Sequence, residues 1–136
     1  ILPYNMQKSN TDKWNTKMTK YKDKCKKISS TSKSIRYVGI INSHGRTLAG
    51  KINSGTKPLF SPNQVRDEFF AIATSVKLRK KSLSAIGEVN YMLFNHRKIV
   101  ILLFHSKDVV YYITFGPKSI PSKLLIEKIR KISTEE

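Results

Sequence analysis

Apolar residues recur in this chain with two different rhythms. Between Ile86 and Phe115 three runs, Ile86-Gly-Glu-Val-Asn-Tyr-Met-Leu-Phe94, Lys98-Ile-Val-Ile-Leu-Leu-Phe104 and Val109-Val-Tyr-Tyr-Ile-Thr-Phe115, are separated only by Asn95-His96-Arg97 and His105-Ser106-Lys107-Asp108. Short polar breaks between β-branched and aromatic runs predict strands joined by hairpins. The second and third runs lack polar alternation, so both faces of these strands should be buried, which requires helices on each side of the sheet. The first run alternates, with Val89, Tyr91 and Leu93 against Glu88 and Asn90, and predicts an edge strand. Upstream, Ile35 to Ile41 and Thr47 to Ile52 flank Ser43-His44-Gly45 and predict another hairpin, with Gly45 supplying the positive φ of its turn.

The second rhythm is helical. Trp14, Met18, Tyr21, Cys25 and Ile28 recur at spacings of four and three, one face of an amphipathic helix starting near Ser9 with Asn10 or Thr11 as its cap. Its opposite face carries Lys13, Lys17, Lys20, Lys24 and Lys27. Ser61 and Pro62 open a second helix running to about Lys80, with Val65, Phe69, Ile72 and Val76 as its core stripe. Beside that stripe lies a row of Arg66, Phe70, Ala73 and Lys77, which reads either as a wide buried face or as a subunit interface. After Gly116-Pro117-Lys118-Ser119 a last helix presents Leu124, Leu125, Ile129 and Ile132. Residues 1–8 carry no rhythm and are expected to form a tail, residues 9–133 a single domain, and residues 134–136 a short polar end.

Length and charge refine this picture. The 136 residues suit one modest core, and 39% hydrophobic content concentrated in patterned segments favours a folded domain over disorder. No apolar run approaches the roughly 20 residues of a membrane-spanning helix. Ile1-Leu-Pro-Tyr-Asn5 lacks both an initiating Met and a signal pattern, so a trimmed or misassigned start is expected. One cysteine forms no internal disulfide, which fits a cytoplasmic protein. The net charge of +17 makes nucleic acid the first polyanion to consider, with the lysine row of the first helix and the cluster Lys77, Arg79, Lys80 and Lys81 as candidate contacts. Lysine far outnumbers arginine, however, a bias that an AT-rich genome imposes on any protein and that differs from the arginine preference of dedicated phosphate sites.

Candidate chemistry is sparse. Cys25 lies on a core stripe, where a free cysteine acts as a small apolar residue. His44 and His105 should share one end of the sheet and His96 the other; two histidines with Asp108 nearby form no recognisable metal set. Asp67 and Glu68 point to different sides of one helix, and Gly39-Ile-Ile-Asn-Ser-His-Gly45 crosses a strand and hairpin where a phosphate loop needs a strand-to-helix turn. No catalytic residue, cofactor or metal is expected; a small-molecule sensor stays open, since related α/β sheets can hold ligands between sheet and helix, but no polar residues converge for one.

The element order α-β-β-α-β-β-β-α, with Tyr37-Val-Gly-Ile-Ile-Asn-Ser-His-Gly-Arg-Thr-Leu-Ala49 as its first hairpin and Lys98 to Phe115 as its last, resembles the roadblock/LC7 domain of the profilin-like group. Small archaeal proteins of unknown function with this fold have a similar pattern, through Gly55-Thr-Lys-Pro-Leu59 to Lys77-Leu-Arg-Lys80. Over residues 10–132 the resemblance implies an α+β fold, a five-stranded antiparallel sheet in the order 2-1-5-4-3 with helices on both faces. It also implies a non-catalytic protein-interaction module, homodimeric through the middle helix and its neighbouring edge strand, with protein partners such as small GTPases or motor and signalling assemblies. The heavy basic charge and long lysine-rich first helix depart from the better-known members. A nucleic-acid-binding accessory protein is the alternative.

Overall fold

The computed structural model describes residues 4–80 and 83–136. Its elements are α1 (Tyr4–Ser29), β1 (Ile35–Ile41), β2 (Thr47–Ile52), α2 (Pro62–Lys80), the single turn α3 (Leu83–Ile86), β3 (Met92–Asn95), β4 (Val100–Ser106), β5 (Val109–Phe115) and α4 (Lys123–Thr134). The fold is α+β. All five strands pair antiparallel in the order β2-β1-β5-β4-β3, as the resemblance implies. The three apolar strands β1, β5 and β4 take the centre because only there does each strand lose both edges and both faces to protein.

Two cores sit on the two sides of the sheet. On one side Cys25 and Ile28 of α1 and Ile126 and Ile129 of α4 pack on Val38, Ile40, Leu102, Phe104, Tyr111 and Ile113. Phe104 and Tyr111 face each other across β4 and β5 with their rings stacked 5.0 Å apart. On the other side Phe69, Ile72 and Val76 of α2 cover Ile41, Ile101, Leu103, Val110 and Tyr112. Fully burying one such side chain contributes about 1.5–3 kcal/mol, so these positions dominate the stability of the domain.

Local chemistry sets the helix ends. The Ser61 N–H donates to Gln64 Oε1 at 2.8 Å and the Gln64 N–H to Ser61 Oγ at 3.2 Å, a reciprocal cap that opens α2. Ser122 Oγ accepts from the Leu125 N–H at 3.1 Å and opens α4. At the β1–β2 turn Gly45 has φ +83°, and a Cβ there would lie 2.8 Å from the backbone of Phe69 and Phe70. Glycine at this turn therefore permits both the left-handed turn and the close seat of the hairpin against α2.

Four expectations are corrected. Helix α1 starts at Tyr4, so Asn10 and Thr11 are interior and Tyr4 to Lys8 of the expected tail are helical; no Gly or Pro interrupts the stretch. Burial along α1 is graded: Cys25 and Ile28 are buried and Met18 and Tyr21 half-buried, but Trp14 is 56% exposed, because α1 extends past what it packs on. Strand β3 begins at Met92 instead of Ile86, since Val89 leaves the ladder to line a narrow cleft with Val76 and His105. In α4 the buried positions are Ile126 and Ile129, with Leu125 and Ile132 beside them, while Leu124 in the first turn is 82% exposed.

Candidate interaction row and the cavity beside it

The sequence-derived row on α2 divides when placed in three dimensions. Phe70 is 64% exposed and Arg66 and Lys77 are exposed, but Ala73 is only 3% exposed and is covered by the protein's own fold. Ala73 therefore offers no surface to a partner. Leu78, 58% exposed and two helical turns beyond Phe70, takes its place, with half-buried Thr74 between them. The exposed apolar residues continue through Ile86 at the end of α3 to Tyr91 and Phe94 beside and on β3. Phe94 shares its side of the sheet with Met92, which packs in the α2 core.

The lysines also divide. Lys13, Lys17 and Lys20 are exposed on α1, with Trp14 exposed among them. Lys24 Nζ donates to Ser133 O at 3.0 Å and Lys27 Nζ to Glu135 Oε2 at 3.1 Å, so these two hold the C-terminal end of α4 to α1. Cations there also face the negative end of the α4 dipole. Partial burial, followed by the charges of Lys107 and Lys20, lowers the pKa of Lys24. Lys77, Arg79 and Lys80 are exposed in the last turn of α2, where the same dipole argument gives them a structural role. Lys81 lies outside the described residues.

On the opposite flank of α2 the structure holds a cavity that sequence reasoning missed. It has a volume of about 250 Å³ and lies between the α2 side of the sheet and the loop of residues 53–61. Tyr37, Phe69 and Tyr112 form its aromatic wall: Phe69 meets Tyr112 edge-on at 4.9 Å, and Tyr37 lies 6.5 Å from Phe69 and 6.4 Å from Tyr112. Tyr37 can lie flat on the sheet because Gly39 and Gly50, paired across β1 and β2, carry no Cβ; either Cβ would come within 2.7 Å of the Tyr37 side chain. Pro58, Leu59 and Phe60 line the loop side, and Arg36 and Lys57 are the charged residues in the lining. The signals for this site were that glycine pair around Tyr37 and an apolar triplet in a loop. They belong to separate segments with no spacing rule to join them.

The titratable groups sort by burial. Burial pushes the Cys25 thiol up to about 12, which supports its reading as an inert core residue. The Tyr37 hydroxyl is also raised to about 12, first by burial. Tyr112 is raised by burial and then by Glu68, to whose Oε2 it donates at 2.9 Å. His44 and His105 share one end of the sheet, where Ile41, Val110 and His105 lie in register, and His96 is at the other. Among the described residues no three His, Cys, Asp or Glu side chains are grouped to hold a metal, and no helix is long and apolar enough to cross a membrane.

The strand order, with α1 and α4 on one face and α2 on the other, decides the comparison with known structures. A roadblock/LC7 domain from Streptomyces avermitilis superposes with a TM-score of 0.63 at 6% identity, over 82% of this chain and 89% of that one. The fold is that of a roadblock/LC7 domain. MglB from Myxococcus xanthus superposes at 0.64 with 14% identity, over 85% of this chain and 84% of its own. An MglB in a tetrameric arrangement gives 0.65 at 15% identity, over 85% of each chain. No family model matches the chain, and no curated protein matches it in sequence. The exposed row lies on α2, where Phe70 sits beside His44 to Thr47 of the β1–β2 turn, and the cavity lies between α2, the sheet and the 53–61 loop.

Proposed function

We propose that this chain is a non-catalytic, cytoplasmic interaction module that pairs with a second copy through the outer row of α2 and the free edge of β3, and presents the resulting surface to a protein partner. The observation that carries the reading is the exposure of Phe70 and Leu78 on one outer row of a helix whose inner stripe is fully used. Large exposed apolar side chains mark a surface to be covered, and the outer edge of β3, which carries Phe94, also presents free backbone donors and acceptors. Arg66, Phe70, Lys77 and Leu78 are assigned to that interface. The tetrameric arrangement of an MglB of like fold supports assembly as a property this architecture can carry. Light scattering at micromolar concentration tests it: the native chain should have twice the monomer mass, and Phe70→Glu should be monomeric with an unchanged circular dichroism spectrum. A native monomer rejects the pairing.

A second reading, weaker in support, has one observation in its favour. Trp14 stands exposed among Lys13, Lys17 and Lys20, the interleaving of aromatic and cation that single-stranded nucleic acid uses. Binding by counterion release alone should fall by orders of magnitude between about 50 and 200 mM salt. Submicromolar retention at the higher salt, lost on Trp14→Ala, would replace the first reading with this one.

A further inference from the structure

The cavity beside α2 has a chemical bias that the interaction reading does not use. Arg36 and Lys57 line it, no carboxylate does, and among the described residues neither cation forms an ion pair. Arg36 is half-buried and sits at the register shift of β1 opposite β5, so its placement is fixed by the sheet. The backbone there is tied further: the Asn53 N–H donates to Arg36 O at 2.9 Å, while the Asn53 side chain donates to Ile35 O and accepts from Ser29 Oγ. With its backbone fixed in this way, the Arg36 guanidinium still has no acidic partner among the described residues, and its planar fork matches a carboxylate. The aromatic wall supplies flat faces for a ring. A closed apolar cavity of about 150 Å³ accommodates one benzene, so 250 Å³ suits a body of two fused rings.

We propose that this cavity binds a small aromatic carboxylate, with its rings against Tyr37, Phe69 and Tyr112 and its carboxylate between Arg36 and Lys57. Pro58, Leu59 and Phe60 of the 53–61 loop line its outer side and supply apolar contact for the rings. Nothing in this binding depends on pairing through the other flank of α2.

Two probes of equal shape separate charge from apolar fit. Titrating the full chain with 2-naphthoate and with neutral 2-naphthamide, followed by amide chemical shifts and calorimetry, should give saturable binding of the carboxylate. Its shifts should centre on Tyr37, the 56–60 segment and Thr114, and the amide should bind at least about tenfold more weakly, the scale of one charge-assisted contact. Arg36→Gln should bring the carboxylate down to the level of the amide while leaving the amide unchanged. Lys57→Gln, on the exposed loop, should weaken the carboxylate alone and serves if the Arg36 variant does not fold. Absence of saturation for both probes, equal affinity for both, indifference to both substitutions, or shifts spread over the α1 lysines would each overturn the proposal.

Discussion

The two sides of the sheet solve the same covering problem with different numbers of helices. Five strands about 4.8 Å apart span roughly 20 Å, while a helix with its side chains is about 10 Å across. On one side α1 and α4 lie together, and Ile28, Val38, Ile40, Leu102, Ile113 and Ile129 are wholly buried. On the other α2 is alone in covering the strands. Sheet surface is left on both of its flanks, and the chain fills them differently. Toward β2 the loop of residues 53–61 arches over and leaves a cavity; toward β3 the apolar side chains remain uncovered. The side covered by one helix thus keeps a cavity, and the doubly covered side keeps none of that kind.

Substitutions can break this contrast. Ile129→Ala, at a closed position under α4, should cost about 2–5 kcal/mol in urea unfolding, because the tightly packed side cannot collapse into the space. Cys25→Ala on the same side should cost about 1 kcal/mol, the small deletion of a buried group. It also carries a pH signature. The folded thiol titrates near 12 while the unfolded chain ionises above about 9, so the unfolded state holds fewer protons between those values and stability falls as pH rises through them. Cys25→Ala should lessen that alkaline fall, measured as the difference between pH 8 and pH 10.5 unfolding midpoints, and leave the part due to the raised Tyr37, Tyr111 and Tyr112. Leu78→Ala on the outer row of α2 should change the stability of the monomeric Phe70→Glu background by less than about 0.5 kcal/mol. A cost at Leu78 matching that at Ile129 would mean the outer row packs within the monomer after all, and the contrast between the two sides would dissolve.

Legibility in the sequence followed how local each cause was. Strands β1, β2 and β5 lie where the apolar runs place them, since runs of β-branched residues bounded by Gly, Ser or Asp leave few other conformations. The end of α2 at Lys80 and its Ser61 cap were likewise readable. The start of β3 was not, because Val89 and Tyr91 alternate like a strand while tertiary packing draws Val89 toward Val76. Exposure of Trp14 escaped for a related reason: periodicity shows which residues share a face, but not how far the surface beneath that face extends. Phe70 and Ala73 looked equivalent in the row, but the helix turns Ala73 about 60° nearer the stripe of Phe69, Ile72 and Val76, so it is buried while Phe70 is exposed. The cavity, assembled from β1, β5, α2 and the 53–61 loop, has no linear signature beyond the glycines that clear room for Tyr37.

The central pairing of β1 with β5 also sets a timetable for synthesis. Ile41 and Val110 are neighbours in the sheet but about 70 residues apart in the chain. At the roughly 5–20 residues per second of translation, several seconds separate the appearance of β1 from that of the strand that completes it. During that interval the first hairpin has an apolar strand with one edge open, and its nascent neighbours are α1 and α2. The lysine charges of α1 oppose association of the unfinished half with other copies of the chain by mutual repulsion.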